Sequence, residues 1–454
     1  MSGLLTLDQL STLVRKGEID TVIMAMPDMQ GRLVGKRMQA GYFLDTAVHE
    51  THACNYLLTV DTDMEPVPGY KAASWSDGYG DFVLKPDMAT LRRIPWLPAT
   101  ALVICDTLDH HGEDVPHAPR AILKKQLKRL AAKKMMAYTA SELEFYLFNE
   151  TYESAAEKRF HDLKAQSNYI QDYQIFATTK EEGIMRAIRN GLEGAAIPVE
   201  NSKGEWGAGQ EEINIRYAEA LEMADRHTIL KNGIKEIAHL HGKAITFMAK
   251  WDTEKAGSSC HIHMSFWDQA GKKALFHDPK SKLHGLSELA QHFLAGQIKH
   301  AREMTYFLAP NINSYKRFVN GTFAPTNIVW SNDNRTAGYR ICGSGKSLRV
   351  ECRIGGADLN PYLAYAAIIA AGLEGIDNKL KLEPEFKGDA YVGDVPLLSK
   401  TLRGALDDLD KSKMFKSTFG KDVIEHYLHT GRWEQLEYDR RVTDWEVARG
   451  FERS

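Results

Sequence analysis

Cysteine is scarce: five in 454 residues (Cys54, Cys105, Cys260, Cys342, Cys352), with no Cys-x-x-Cys pair. An odd, scattered set argues against a disulfide framework and a thiolate zinc site, and predicts reduced thiols in a cytoplasmic protein. No excess of either charge exists. With 57 basic against 60 acidic residues and a net charge of −3, nothing calls for nucleic acid or an anionic membrane as partner. Long hydrophobic runs are missing too. The longest, Tyr362 to Leu373, is about half of the roughly 20 residues a membrane span requires. With Asn360 to cap it and Pro361 in its first turn, that run predicts a buried helix. No charged-then-apolar leader opens the chain, where residues 4–15 predict a capped amphipathic helix. A phosphate-cradling glycine loop also fails. Gly343-Ser344-Gly345-Lys346-Ser347 ends like a P-loop, but Arg340 stands where that motif needs its first glycine, and the segment runs into a strand.

A content of 43% hydrophobic and 26% charged residues suits a globular chain, and its length implies two or three domains. Strands are predicted over 21–26 and 32–38, joined by a turn at Pro27–Gly31, and again over 82–84 and 101–105, with an exposed loop over 70–80. Residues 110–119, with His110, His111 and His117, read as a polar linker in preference to a metal site. That places a domain boundary near residue 112. Beyond it, helices are expected over 119–134, 221–241 and 286–303, and in the charged tail from Leu406 onward.

Four further stretches carry the chemistry. They are Glu142-Leu143-Glu144-Phe145, Glu212-Ile213-Asn214-Ile215-Arg216, His261-Ile262-His263-Met264-Ser265 and Arg349-Val350-Glu351-Cys352-Arg353. In each, ionisable side chains alternate with apolar ones. On a strand, residues i and i+2 share a face, so each stretch aims its charges one way and its greasy groups the other. Carboxylates crowded on one surface need cations to be tolerated. Oxygen donors with one imidazole suit magnesium or manganese. Guanidiniums beside them suit anions, phosphates foremost. The pattern is that of a phosphoryl-transfer site. Read one motif at a time, each has a plainer alternative: exposed glutamates on an edge strand, a structural His-x-His, or a row of ion pairs.

Taken in order, Ser141–Phe145, Gly209-Gln210-Glu211-Glu212, Gly257 with His261–Ser265, Asn313–Arg317, Asn334-Arg335, Arg349–Arg353 and Asn360-Pro361-Tyr362-Leu363 resemble the glutamine synthetase superfamily along nearly the whole chain. The resemblance implies an α+β fold: an N-terminal β-grasp domain (1–112) and a catalytic domain (113–454) built on a curved antiparallel sheet flanked by helices. It implies a homo-oligomer of two stacked hexameric rings with active sites between subunits. Two to three Mg2+ or Mn2+ ions per site are implied, with ATP as co-substrate. Carried over by motif, Glu144, Glu205 and Glu212 resemble the ligands of one metal, and Glu142, His261 and Glu351 those of a second. Tyr217, His263, Ser265, Arg340, Lys346 and Arg349 resemble the ATP contacts. Gly257, Arg317, Arg335 and Arg353 resemble those holding glutamate, with Arg335, Arg353 and Glu351 as the catalytic group. The family reaction is ATP-driven amide formation through a γ-glutamyl phosphate.

Two departures bear on the nucleophile. Where ammonia-using members carry a flap glutamate before Ala-Pro, this chain has Phe323, an expected amine-pocket residue. The Asp-Gly-Ser loop is replaced by Asp61-Thr62-Asp63-Met64-Glu65. An aromatic ring suits the body of an organic amine. Together with the Gly78-Tyr79-Gly80-Asp81 loop and the tail 441–446, this looks closest to the γ-glutamylpolyamine (γ-glutamylputrescine) synthetase branch. A polyamine is therefore the leading expectation and a monoamine the next, with Asp61, Asp63 or Glu65 as the acid for a distal ammonium. The rivals are an ammonia-using glutamine synthetase and a catalytically silent structural or regulatory relative.

Overall fold

The computed structural model describes residues 3–454, the side chain of Asp77 excepted. Two sheets organise the fold, which is α+β. The first holds β1 (Thr21–Pro27), β2 (Leu33–Gln39), β3 (Thr51–Cys54), β4 (Asp81–Pro86), β5 (Arg92–Arg93) and β6 (Thr100–Leu108) in the order β2-β1-β6-β4-β3, with β5 on β6. β1 and β6 run parallel and the remaining pairs antiparallel. The β1–β2 turn closes through Asp28, whose buried carboxylate accepts from the amides of Gln30 and Arg32.

The second sheet is larger. It comprises β7 (Met135–Phe148), β8 (Val199–Gly204), β9 (Gln210–Ile215), β10 (Ala218–Glu219), β11 (Ala244–Thr246), β12 (Cys260–Asp268), β13 (Trp330–Asn332), β14 (Tyr339–Cys342) and β15 (Arg349–Cys352). Its order is β13-β14-β15-β12-β7-β9-β8, with β10 and β11 also on β7. Only β13 and β14 pair in parallel. One face buries Leu143, Ile213, Ile262 and Val350. The helix Pro361–Asp377 is buried along most of its length, as its apolar run requires. Asn360 caps it, accepting from the Tyr362 amide at 3.1 Å while its own amide donates to the carbonyls of Asp28 and Met29. That single side chain ties the helix to the first sheet. The neighbouring helix Glu288–Lys299 comes so close that a Cβ on Gly375 would fall 2.0 Å from the His292 carbonyl oxygen.

Three expectations need correction. The helix expected over 286–303 is two helices, Glu288–Lys299 and Ala301–Leu308. His300 leaves helical geometry (φ −103°, ψ 12°) and bonds the Glu303 carboxylate at 3.0 Å, turning the chain between them. The loop over 70–80 is exposed only in part, since Tyr70 and Ala73 are buried. The linker over 110–119 is polar only in its first half. Val115 and Ala118 are buried, and the His117 ring stacks on His426 at 4.3 Å between centroids.

That stack has a pH signature. Burial depresses His117 to about 4, and its Nε2 has no hydrogen-bond partner among the described residues. Its folded pKa lies below the unfolded value, so the unfolded chain binds the extra proton. Stability is present above about pH 6.5 and is lost as pH falls toward 4, by about 3 kcal/mol at the lower end. Thermal melts between pH 7.5 and 5 should therefore fall less steeply for His117→Phe than for the wild type. Parallel slopes would refute the assignment.

Candidate active site

The face of the large sheet opposite the core collects the ionisable residues, and strand register sets their rows. Lys203 on β8 stands opposite Glu212 on β9, which stands opposite Glu144 on β7. One step along, Asn201, Asn214, Glu142 and His261 form the next row. Beyond β12, His263 pairs with Glu351, and Glu351 with Arg340 on β14. All point one way because each neighbour in a row shares the pleat of the next. Arg216 does not join them. β9 ends at Ile215, and Arg216 is exposed, contrary to the expectation that it faces inward.

Two groups of donor atoms result, each within 4.8 Å of one another: Glu144 with Glu205 and Glu212, and Glu142 with His261 and Glu351. These groups have the membership of the two sets that the family resemblance implies. A third group, His263, Cys342 and Glu351, shares Glu351. The first group is electrostatically unfinished. Burial, then Glu205, pushes the Glu144 carboxyl up to about 7, against hydrogen bonds from the Ser259 amide and hydroxyl. Glu212 is also raised well above the usual range, by burial and then by Glu205, Glu142 and Glu144. Lys203, bonded to Glu205, and Arg317 near Glu144 offset part of that charge. An all-oxygen set with surplus negative charge fits a hard divalent cation.

The second group is better compensated. Burial alone would raise the Glu142 carboxyl, but hydrogen bonds from His261 (3.1 Å) and His263 (2.7 Å) hold it well below the usual range. Burial likewise works against Glu351, which Arg353 and then His261 and His263 keep down at about 2. Arg353 donates to its Oε1 at 2.6 Å and Arg340 to its Oε2 at 3.0 Å. Burial and Arg353 together lower His261, favouring the neutral ring that ligation needs.

Two cavities open on this face. One, of about 580 Å³, is lined by Glu142, Glu144, Glu205 and Glu212 together with Gly257, Arg317, Arg335, Arg340, Arg353, Trp206 and Phe323. The other, of about 540 Å³, is lined by Tyr217, His263, Ser265, Lys346 and Arg349. Glu142, Asn201 and Asn214 border both. Arg340, grouped from the sequence with the second set, lines the first cavity. Tyr217 is half exposed and meets Tyr138 edge-on at 5.4 Å. His263 donates through Nε2 to Glu142 and accepts at Nδ1 from Arg349 (3.1 Å), and the Trp267 indole donates to Ser265.

The arginines divide sharply. Arg317 is buried, donating to the Ile354 and Gly355 carbonyls, and its stem fills the space a Gly257 side chain would need. Arg335 is exposed to the cavity, with no hydrogen bond or ion pair among the described residues. Phe323 adopts a positive φ of 57°, half exposed, with the Trp206 ring 6.0 Å away. Asp61 and Asp63 line a separate cavity of about 900 Å³, Glu65 is exposed on the same turn, and Asp61 is spent on the amides of Asp63 and Glu65.

Sequence reading missed the segment over the acid-lined cavity. Asp172, Tyr173, Ile175 and Thr178 line it. Buried Gln171 anchors them, donating to Glu181 (3.1 Å) and to Glu211 on the opposite face of β9. Burial and Glu181 push the Glu211 carboxyl up to about 11, so it is held protonated. No local pattern advertises that anchor. Lys203 was within reach, because Asn201, Lys203 and Glu205 repeat the same period of two.

Residues 116–450 match the family described as glutamine synthetase, catalytic domain, and the chain belongs to that family. Over 450 residues it is 46% identical to a Streptomyces coelicolor protein named gamma-glutamylethanolamide synthetase GlnA4, covering 99% of this chain and 96% of that one. A Pseudomonas protein named glutamate–isopropylamine ligase is 38% identical over 442 residues, 96% of each chain. A solved structure of a GmaS/ADP complex superimposes with a TM-score of 0.85 at 28% identity, covering 97% of this chain and 99% of that one. Within the family the chain is a ligase of the amine-joining branch. No helix among the described residues is long and apolar enough to cross a membrane.

Proposed function

We propose that the protein joins the γ-carboxylate of glutamate to an organic amine, using ATP and passing through γ-glutamyl phosphate. One observation carries this reading. The Glu144, Glu205 and Glu212 group lines a cavity bearing Arg335 and Phe323, and Glu142 of the second group borders both that cavity and the adjoining one bearing Tyr217 and Lys346. Magnesium or manganese, held by Glu144, Glu205 and Glu212 and by Glu142, His261 and Glu351, would neutralise those carboxylates and the phosphate chain. Tyr217 offers its face to the base, while Lys346, Arg349, Ser265 and His263 hold the phosphates. Arg340, anchored on Glu351 and Asp333, reaches the phosphates from the other side.

Gly257, whose missing side chain lets the Arg317 stem pack against it, lines the glutamate end of the cavity, and Arg335 and Arg353 face the carboxylate and the transferring phosphoryl group. The γ-carboxylate oxygen takes the γ-phosphoryl of ATP, and ADP departs. The amine nitrogen then attacks the acyl carbon, the C–O bond to phosphate breaks, and a proton leaves the nitrogen. Asp172, raised by burial and Glu205 and outside both metal groups, is the acceptor for that proton. The residue 112 domain boundary and assembly into stacked rings belong to the same proposal.

A short monoamine is favoured over the polyamine expected from the sequence. A distal ammonium needs an acid beyond the amine pocket, and within one chain Asp61 and Asp63 line a different cavity while Glu65 is exposed on the same turn. Phe323 and Trp206 instead offer rings to a small organic body. The test is ATP turnover with glutamate over ammonium, methylamine, isopropylamine, ethanolamine and putrescine, with mass detection of the amide. A short monoamine should give the highest kcat/KM; ammonium in first place sinks the proposal.

A further inference from the structure

Lys203 belongs to neither metal group, yet its side chain turns into the acid-lined cavity and is only 20% exposed. Its Nζ bonds the Glu205 carboxylate, lies 3.9 Å from Asp172 Oδ1, and stands 4.5 Å from the centroid of the Tyr173 ring. Two carboxylates and an aromatic face are the parts of a cage for a small cation. In this chain the cage is already filled, by a cation the chain itself supplies.

We propose that Lys203 is a specificity residue: its tethered ammonium holds the position between Glu205, Asp172 and Tyr173, turning away free ammonium and leaving the site to amines with an organic body. The inference rests on the amine-ligase reading above. A tethered group pays no translational entropy to occupy the cage, whereas a free ammonium ion must pay it and displace a like charge. An organic amine has binding energy that ammonium lacks. Its carbon skeleton packs on Phe323 and Trp206, where buried apolar surface stabilises by about 25 cal/mol per Å². Beside Lys203, an incoming amine is also favoured in its neutral, nucleophilic form.

The experiment measures kcat/KM for ammonium chloride, isopropylamine and ethanolamine in wild type, K203M and K203R, each as the intact assembled enzyme with saturating glutamate and ATP. K203M should raise the ammonium-to-isopropylamine ratio about tenfold, mainly through a lower KM for ammonium, the scale of one ion pair with a cation–π contact. K203R should keep the wild-type ratio. An unchanged ratio in K203M overturns the inference while leaving the ligase intact. Equal loss with all three nucleophiles, in a variant that assembles and melts like wild type, also overturns it, because Lys203 then serves the shared chemistry. A wild type that makes glutamine but no γ-glutamylamide removes the ligase reading, and this inference with it.

Discussion

Glu351→Gln should lower kcat/KM about a thousandfold and lower the melting temperature as well. Glu351 is fully buried, belongs to the group with Glu142 and His261, and accepts from Arg340 and Arg353. Glutamine keeps the shape and removes the charge. Two guanidiniums then face an amide, and breaking a buried pair from one side costs about 3–5 kcal/mol. One mutation thus strikes cation binding, arginine placement and stability together. Steady-state kinetics, calorimetric titration of Mg2+ and Mn2+ into the nucleotide-free protein, and differential scanning calorimetry check the three effects. Near-wild-type turnover would remove Glu351 from the site.

Arg335→Ala should behave in the opposite way: about a hundred- to a thousandfold loss of kcat with no change in melting temperature. Arg335 is exposed in the acid-lined cavity and bonds nothing among the described residues. Its charge contributes little to folding, since an exposed, unpaired side chain adds little stability. A guanidinium held ready beside clustered acids is useful when charge develops on a transferring phosphoryl group. Arg353 cannot serve as the same probe, because it is bonded to Glu351 and removing it would disturb both. If R335A retains full turnover, the phosphoryl group is not held from that side of the cavity.

Much of the site was legible because β-structure has a period of two. Glu142/Glu144, His261/His263 and Glu351 flanked by arginines announce one-faced strands without any coordinates. The structure places Glu142 with His261 and Glu351, and Glu144 with Glu212 and with Glu205, whose place in the set came from the family resemblance and not from the strand pattern. The buried helix from Pro361 and the hairpin at Pro27–Gly31 were legible for similar local reasons, a cap and a turn. The break at His300 was not, because the helical pattern continues across it, and the turn shows only in the backbone angles of His300 and its contact with Glu303.

By itself, the amino-acid order determined which side chains share a face and how many donors each strand brings, since both follow from local backbone geometry. Only the tertiary structure decided which strands lie side by side. That choice puts Glu212 opposite Glu144 and His261 opposite Glu142, and folding brings Asp172 over the same cavity, while Asp61 is carried to another. Register between strands far apart in the chain comes from long-range packing of the opposite, apolar face, and no local pattern encodes it.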